Sequence, residues 1–284
     1  MAPLDELGDR NSRILGGRAT GPVRNVTIAV VSTVVVFGVL IYLVTSAPGW
    51  AAVKQDFFNW QEVKDGWRDI AHAFLLNIKM FMVAEPLILV FAMVLAVLRS
   101  LPGPVFFPLR LMAIVYTDLF RGVPTILVVY LLGFGVPGLG LSGVPTSPVF
   151  WGVVALVLVY TAYVAEVYRA GIVSVHPSQE AAARSLGLSR LAALRYVILP
   201  QAVRRVIPPL LNDFIGLQKD TALVSIVGPL EALQAANLQS QSDFNYTPYL
   251  VAAFFFIIIT IPLARFTDWL VARDRKRQQT GRLA

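Results

Sequence analysis

The sequence contains no cysteine and only two histidines, and charged residues make up 14 % of its 284 positions. Without thiols there is no disulfide framework, no thiolate metal site and no cysteine nucleophile, and His72 and His176 lie too far apart in sequence to suggest a metal-binding pair. No metal site is therefore expected. The dipeptide Gly-Lys never occurs, which excludes a phosphate-binding loop of the G-x-x-x-x-G-K-[ST] type, so this chain is not itself an ATP engine. Neither a G-x-S-x-G elbow nor an H-E-x-x-H pair is present, and no catalytic residue is assigned. His72 reads as an interfacial residue, and His176, before Pro177, as a helix cap or a solvent-facing side chain.

What is abundant is apolar. With 56 % hydrophobic residues and a mean hydropathy of +0.67, the chain is not an ordinary soluble domain. Its apolar residues gather in stretches of about 20, enough for a helix to cross a ~30 Å hydrocarbon core at about 1.5 Å per residue. The net charge of +7 lies in the segments between those runs rather than on one folded face, so nucleic acid is not an expected partner.

Six spans are predicted, at about 26–45, 70–98, 109–136, 151–169, 206–227 and 248–271. The first follows Arg10, Arg13, Arg18 and Arg24 and reads as a membrane anchor. A cleavable signal peptide is the rival reading, but the apolar run exceeds the usual length of about 7–15 residues. Residues 46–69, with Trp50, Trp60 and Trp67, form an expected outer interfacial loop. With the amino terminus in the cytoplasm, inner segments, counting Arg110 and Arg169 at the adjoining span ends, hold four, two, six and five Lys/Arg residues against three, zero and zero in the outer loops. That bias predicts both termini, including the basic tail 273–284, on the cytoplasmic side.

Eight ionisable residues fall at membrane depth in spans two to five: Lys79, Glu85, Asp118, Arg121, Glu166, Asp213, Lys219 and Asp220. Each is costly there unless paired, hydrated or capping a helix. Together they predict a polar path between helices; singly, each could equally be a paired or snorkelling side chain, and Arg121 with Asp118 is one such pair three residues apart. In the fifth span Asn212 and Lys219, and Asp213 and Asp220, recur at helical spacing and predict one polar stripe. Pro86, Pro124, Pro208, Pro209 and Pro262 are expected to bend or break their helices. Groups of both signs suit a zwitterion better than a sugar, and the planar fork of Arg121 suits a carboxylate.

The segment from Ser178 to Gln201 is too polar to cross a membrane. A helix over 179–186 is expected to stop at Gly187, and a second to run from Ser189 and end before Pro200. Two short helices meeting at a glycine make a compact knob, with Ala181, Ala182 and Ala183 as a small-residue face. An ordinary amphipathic loop is the alternative.

Here the sequence resembles the membrane permeases of binding-protein-dependent ABC importers, in particular the polar amino-acid uptake group. Their cytoplasmic loop carries E-A-A, three residues, G, nine residues, then I-x-L-P; Ala182, Ala183, Gly187, Val197, Leu199 and Pro200 fall in that register. The glutamate position is occupied by Ala181, and the nearest acid, Glu180, is one residue early. Three further stretches look like the same group: Phe120 to Pro124, Ala162 to Glu166 with Arg169 to Ile172, and Leu217 to Leu223. The resemblance covers about residues 70–272 and implies an all-α, polytopic transmembrane helical bundle, a five-span permease core with an added amino-terminal helix.

It further implies a permease subunit in a bacterial inner or plasma membrane, translocating polar amino acids. ATP and Mg would be bound by a partner, a cytoplasmic ABC ATPase dimer docking on the knob through Ala182, Ala183, Gly187, Leu199 and Pro200. An extracytoplasmic solute-binding protein, a second permease copy or related permease, and membrane lipid complete the expected partners. The rival readings are a self-sufficient ion-coupled secondary transporter or channel, and an integral membrane enzyme.

Overall fold

A computed structural model describes residues 22–101 and 103–280; Arg10, Arg13, Arg18, Pro102 and the last four residues of the basic tail lie outside the described part. Among the described residues every regular element is helical and no strand occurs, as expected of an all-α bundle. The chain divides into two compact units, Met1–Gln55 and Asp56–Ala284.

The first unit holds α1 (Pro22–Thr45) and most of α2 (Trp50–Phe57). Helix α1 is apolar on all sides. Its few hydroxyls fold back onto the helix: Thr33 Oγ1 donates to Ala29 O at 2.7 Å and Thr45 Oγ1 to Ile41 O at 2.8 Å, which leaves little polar surface to lipid.

The second unit is built on α3 (Trp60–Ser100) and α6 (Pro148–Val173). Between them run α4 (Phe107–Gly122) and α5 (Thr125–Tyr130), the latter prolonged by a π turn over Leu131–Gly135 and a last turn at Val136–Gly138. After α6 come α7 (Pro177–Ser185), α8 (Arg190–Ala193) and a π turn over Leu194–Ile198. Helix α9 (Leu199–Asp220) continues as a 3-10 stretch over Thr221–Val227 and is followed by α10 (Ala232–Asp243) and α11 (Thr247–Thr280). Local signals set the starts: Asn59 Oδ1 accepts from Gln61 N at 3.0 Å ahead of α3, and Ser147 Oγ accepts from Phe150 N ahead of α6.

Leu156 and Val159 of α6, Met80 and Ile88 of α3, and Leu217 and Val224 are all but fully buried in one core. A second core joins Ile70 and Phe74 of α3 to Ala232 and Ala236 of α10 and Val251 and Ala252 of α11. Lipid is as apolar as these side chains, so close contact rather than water exclusion holds the helices together. Two glycines of α6 permit that closeness. A Cβ on Gly152 would lie 2.3 Å from Val224 Cγ1, and one on Gly171 only 2.0 Å from Val206 Cγ1, so α9 and its extension are held at both ends.

Four helices, α1, α3, α6 and α11, are long and apolar enough to cross a membrane, and α4 with the stretch Thr125–Gly138 is so only as a pair, bent by 102°, with the shape of a broken span or a re-entrant loop. The expected span at 206–227 is not an apolar one. Helix α9 has 22 residues, which is long enough, but Arg204, Arg205, Asp213, Lys219 and Asp220 leave it without an apolar window. It is placed by packing against α6 and α11. The proline expectation is met as a break at one position. Only Pro124 marks a break, with Val123 extended (φ −94°, ψ 129°) as the residue before a proline prefers. Pro86, Pro208, Pro209 and Pro262 all sit inside continuous helices.

Candidate functional site

The knob forms between α6 and α9. His176 Nδ1 accepts from Ser178 N at 3.2 Å and so caps α7, with Pro177 in the first turn where no donor is missed. The other end closes as expected at Gly187, whose φ is +87°. Gly187 N donates to Arg184 O at 3.0 Å and Leu188 N to Ala183 O at 3.2 Å, the paired bonds of a left-handed helix stop. The second helix does not end before Pro200. It continues through the π turn, where Leu199 N donates to Leu194 O five residues back, and Pro200 falls in the first turn of α9. The wider turn gives the proline ring room and asks nothing of its absent N–H.

The three alanines do not form one face: Ala181 and Ala182 are exposed, whereas Ala183 is 4 % exposed and packs inside the knob. Gly187, Leu199 and Pro200 are exposed, and Leu186 (84 %) and Tyr196 (66 %) stand out beside them. Arg195 lies over the Tyr196 ring, 5.6 Å from its centroid. The base of the knob is tied down by Arg205, whose Nη1 donates to Ser174 O, and by Ser174 Oγ donating to Gly171 O at 2.6 Å.

Toward the carboxy-terminal ends of α3 and α6, Glu166 accepts from Arg99 Nη1 at 2.9 Å and from Arg169 Nε at 3.0 Å. It is a partly buried clamp between two helices and two guanidinium groups, and loss of Glu166 would leave Arg99, only 15 % exposed, without its carboxylate. Arg121 is close enough to act on Glu166 electrostatically. Among the described residues no ion pair joins Arg121 to Asp118, and both are exposed, as is Lys79.

The polar residues of α9 make two rows rather than one stripe. Asn212 and Lys219 face outward from the unit; Asp213 and Asp220, one helical position on, are half-buried. Tyr160 of α6 donates its hydroxyl to Asp220 Oδ2 at 2.9 Å. Asp213 Oδ2 is buried without a partner, and Glu85 of α3 lies within electrostatic reach of Asp213. Glu85, Tyr160, Asp213 and Asp220 are thus gathered where α3, α6 and α9 meet, while Lys79, Asp118 and Arg121 are not.

One set of buried polar residues carries no local sequence signal. Glu231 is fully buried in the segment read only as an outer loop. Its carboxylate accepts from Leu233 N at 3.0 Å and Gln234 N at 2.7 Å, capping α10, and from Asn77 Nδ2 of α3 at 2.8 Å. Burial pushes the Glu231 carboxyl up, and these three donors oppose that shift.

A family model described as "binding-protein-dependent transport system inner membrane component" matches residues 25–276. The chain belongs to this family. It is therefore a multi-pass transport component of the inner membrane. A probable glutamine ABC transporter permease protein of Bacillus subtilis (strain 168) is 37 % identical over 175 residues, covering 61 % of this chain and 79 % of that protein. A probable amino-acid ABC transporter permease protein of Vibrio harveyi is 32 % identical over 189 residues, 66 % of this chain and 83 % of that one. Among solved structures, an amino acid ABC transporter crystallised with histidines superposes with a TM-score of 0.69 at 28 % identity, over 76 % of this chain and 98 % of that one. The MetNI methionine ABC transporter in inward-facing form, at 18 % identity, shares the fold with a TM-score of 0.57, over 72 % of this chain and 95 % of its own.

Proposed function

We propose that this chain is the permease subunit of an ABC importer for polar amino acids, working with a second copy of itself or a related permease. A cytoplasmic ATPase dimer binds ATP and Mg and docks on the knob, and an external solute-binding protein delivers the substrate. Both termini then lie in the cytoplasm, and lipid surrounds α1, α3 and α11.

The observation that carries the reading is the knob. Backbone bonds at both ends of α7 hold it in one shape, and exposed Leu186 and Tyr196 give it an apolar tip that a water-facing loop has no reason to keep. Closing of the ATPase dimer on ATP moves two such knobs together, and α9, which grows out of the knob, carries that movement to Asp213, Lys219 and Asp220. The half-buried carboxylates of Glu85, Asp213 and Asp220, with exposed Lys219 on the same helix as the two aspartates, offer an amino acid groups of both signs, whereas Lys79, Asp118 and Arg121 lie apart and Glu166 is engaged by Arg99 and Arg169. Relatives named as glutamine and amino-acid permeases favour the same substrate class.

Uptake by proteoliposomes holding the complete transporter, offered labelled amino acids and labelled sugars, tests this reading. Amino acids are expected to enter; entry of a sugar without amino-acid uptake would overturn the substrate class.

A further inference from the structure

Asn77 has spent every hydrogen-bonding group it owns. Its Nδ2 donates to Glu231 Oε2 at 2.8 Å and to Thr221 Oγ1 at 3.1 Å, and its Oδ1 accepts from Ala232 N at 3.1 Å. Thr221 Oγ1 in turn donates to Gln218 O at 2.7 Å, and Gln218 Oε1 accepts from Thr260 of α11 at 3.2 Å. Asn77, Thr221 and Glu231 are 1 %, 0 % and 0 % exposed. One amide of α3 therefore joins the first turn of α10 to the residue that follows Asp220, with bonds that no water competes for.

A cap alone does not need this arrangement. Glu231 already accepts from Leu233 N and Gln234 N without help from α3, and most helix caps sit at a surface and reach no further than their own first turn. The bond from Asn77 to Thr221 adds nothing to the cap. What it adds is a link between α10 and the turn that carries Lys219 and Asp220. The rest of α10 is fixed to its neighbours as well: Gln239 occupies the space where Gly66 of α3 would carry a Cβ, and Tyr249 of α11 donates to Asn237 Oδ1 at 2.9 Å.

We propose that Asn77, Thr221 and Glu231 are positioning residues that lock α10 to the end of α9, so that a binding protein seated on α10 moves Lys219 and Asp220 with it. The proposal rests on the importer reading above, in which α10 lies on the outer face. Displacing α10 alone would take Glu231 and Ala232 N away from Asn77 and leave its amide buried with those bonds unmade, so the low-energy movement takes α10, the end of α9 and the turn of α3 that carries Asn77 together. The binding protein is thereby felt in the pathway without touching it.

The test uses the complete transporter in proteoliposomes and measures the ratio of binding-protein-stimulated to basal ATPase rate. Thr221→Val keeps the volume and leaves the Glu231 cap untouched; it cuts the link to α9 together with the local bond from Thr221 Oγ1 to Gln218 O. It is expected to lower the ratio about 3- to 10-fold, as loss of one buried hydrogen bond allows, with basal rate and membrane abundance unchanged. Glu231→Gln is expected to lower the ratio at least as far. Because both act on one link, the double variant is expected to be no worse than the poorer single one. A wild-type ratio in Thr221→Val overturns the proposal, whatever Glu231→Gln does to folding. A wild-type transporter whose ATPase ignores its binding protein would instead overturn the importer reading on which it rests.

Discussion

Two short helical segments connect the long helices, the knob of α7 and α8 and the helix α10, and they are fixed in opposite ways. The knob is shaped by its own backbone: a histidine cap, a proline in the first turn, a glycine in the left-handed region and a π turn ahead of Pro200. Its apolar side chains, Leu186 and Tyr196, are left outside. Helix α10 is held by buried side chains from distant parts of the chain, with Asn77 and Glu231 separated by 154 positions. A segment that fixes its own shape can present a surface to a partner and be pushed as a unit. A segment fixed through its neighbours passes its movement on to them. Both meet α9, the knob at its start and α10 at its end.

The largest effect is expected at the start of α9, where the base of the knob packs on α6. Gly171→Leu places side-chain atoms where Val206 already is, and overpacking at so close a contact is expected to cost about 3 kcal/mol. Thermal unfolding in detergent should drop markedly, and ATPase capture and binding-protein stimulation should both fall. Loss of only one of them would separate the regions. Next comes Gly187→Leu, which puts a branched side chain at φ +87° for about 1–2 kcal/mol and disturbs the docking tip. Membrane abundance should hold while ATPase pull-down falls about tenfold, and Gly187→Asn, which tolerates this conformation, should keep most of it. Normal ATPase stimulation in Gly187→Leu would remove the knob from coupling.

Lys219→Met acts between the regions. Uptake is expected to fall several-fold with external capture unchanged, since capture belongs to the binding protein; unaltered uptake kinetics would make Lys219 a snorkelling side chain. The smallest effect is expected for His176→Ala, which removes one cap bond worth about 1 kcal/mol and should weaken ATPase capture only a few-fold. A loss as large as that of Gly187→Leu would mean that the knob depends on its first turn as much as on its last.

The same contrast explains what could be read in advance. Gly187, His176 and Pro177 act within a few residues of themselves, and the apolar runs of α1, α3, α6 and α11 need only length and composition, so the knob and most spans were legible. Two features there were misjudged because their outcome depends on accommodation: a π turn absorbs Pro200, and α9 stays helical through Pro208 and Pro209 under the packing of α6 and α11. The polar rows of α9 were visible as a repeat, but only the fold decides that Asp213 and Asp220 face α3 and α6 while Asn212 and Lys219 do not. Glu231 had no local signal at all. A glutamate before Ala232 in a loop rich in Gln, Asn and Ser looks solvated, and its partners on α3 and after α9 are more distant in sequence than any periodicity reaches.

The most direct measurement is uptake of labelled glutamine by proteoliposomes carrying this chain, its ATPase and its binding protein, with and without ATP in the ATPase-facing compartment. Uptake is expected only when ATP, ATPase and binding protein are all present, and it should be lost in Gly187→Leu while the complex still inserts. Uptake by the permease alone, driven by an imposed proton or sodium gradient without ATP, would contradict the central claim and make the half-buried carboxylates at Glu85, Asp213 and Asp220 the coupling groups of a secondary transporter.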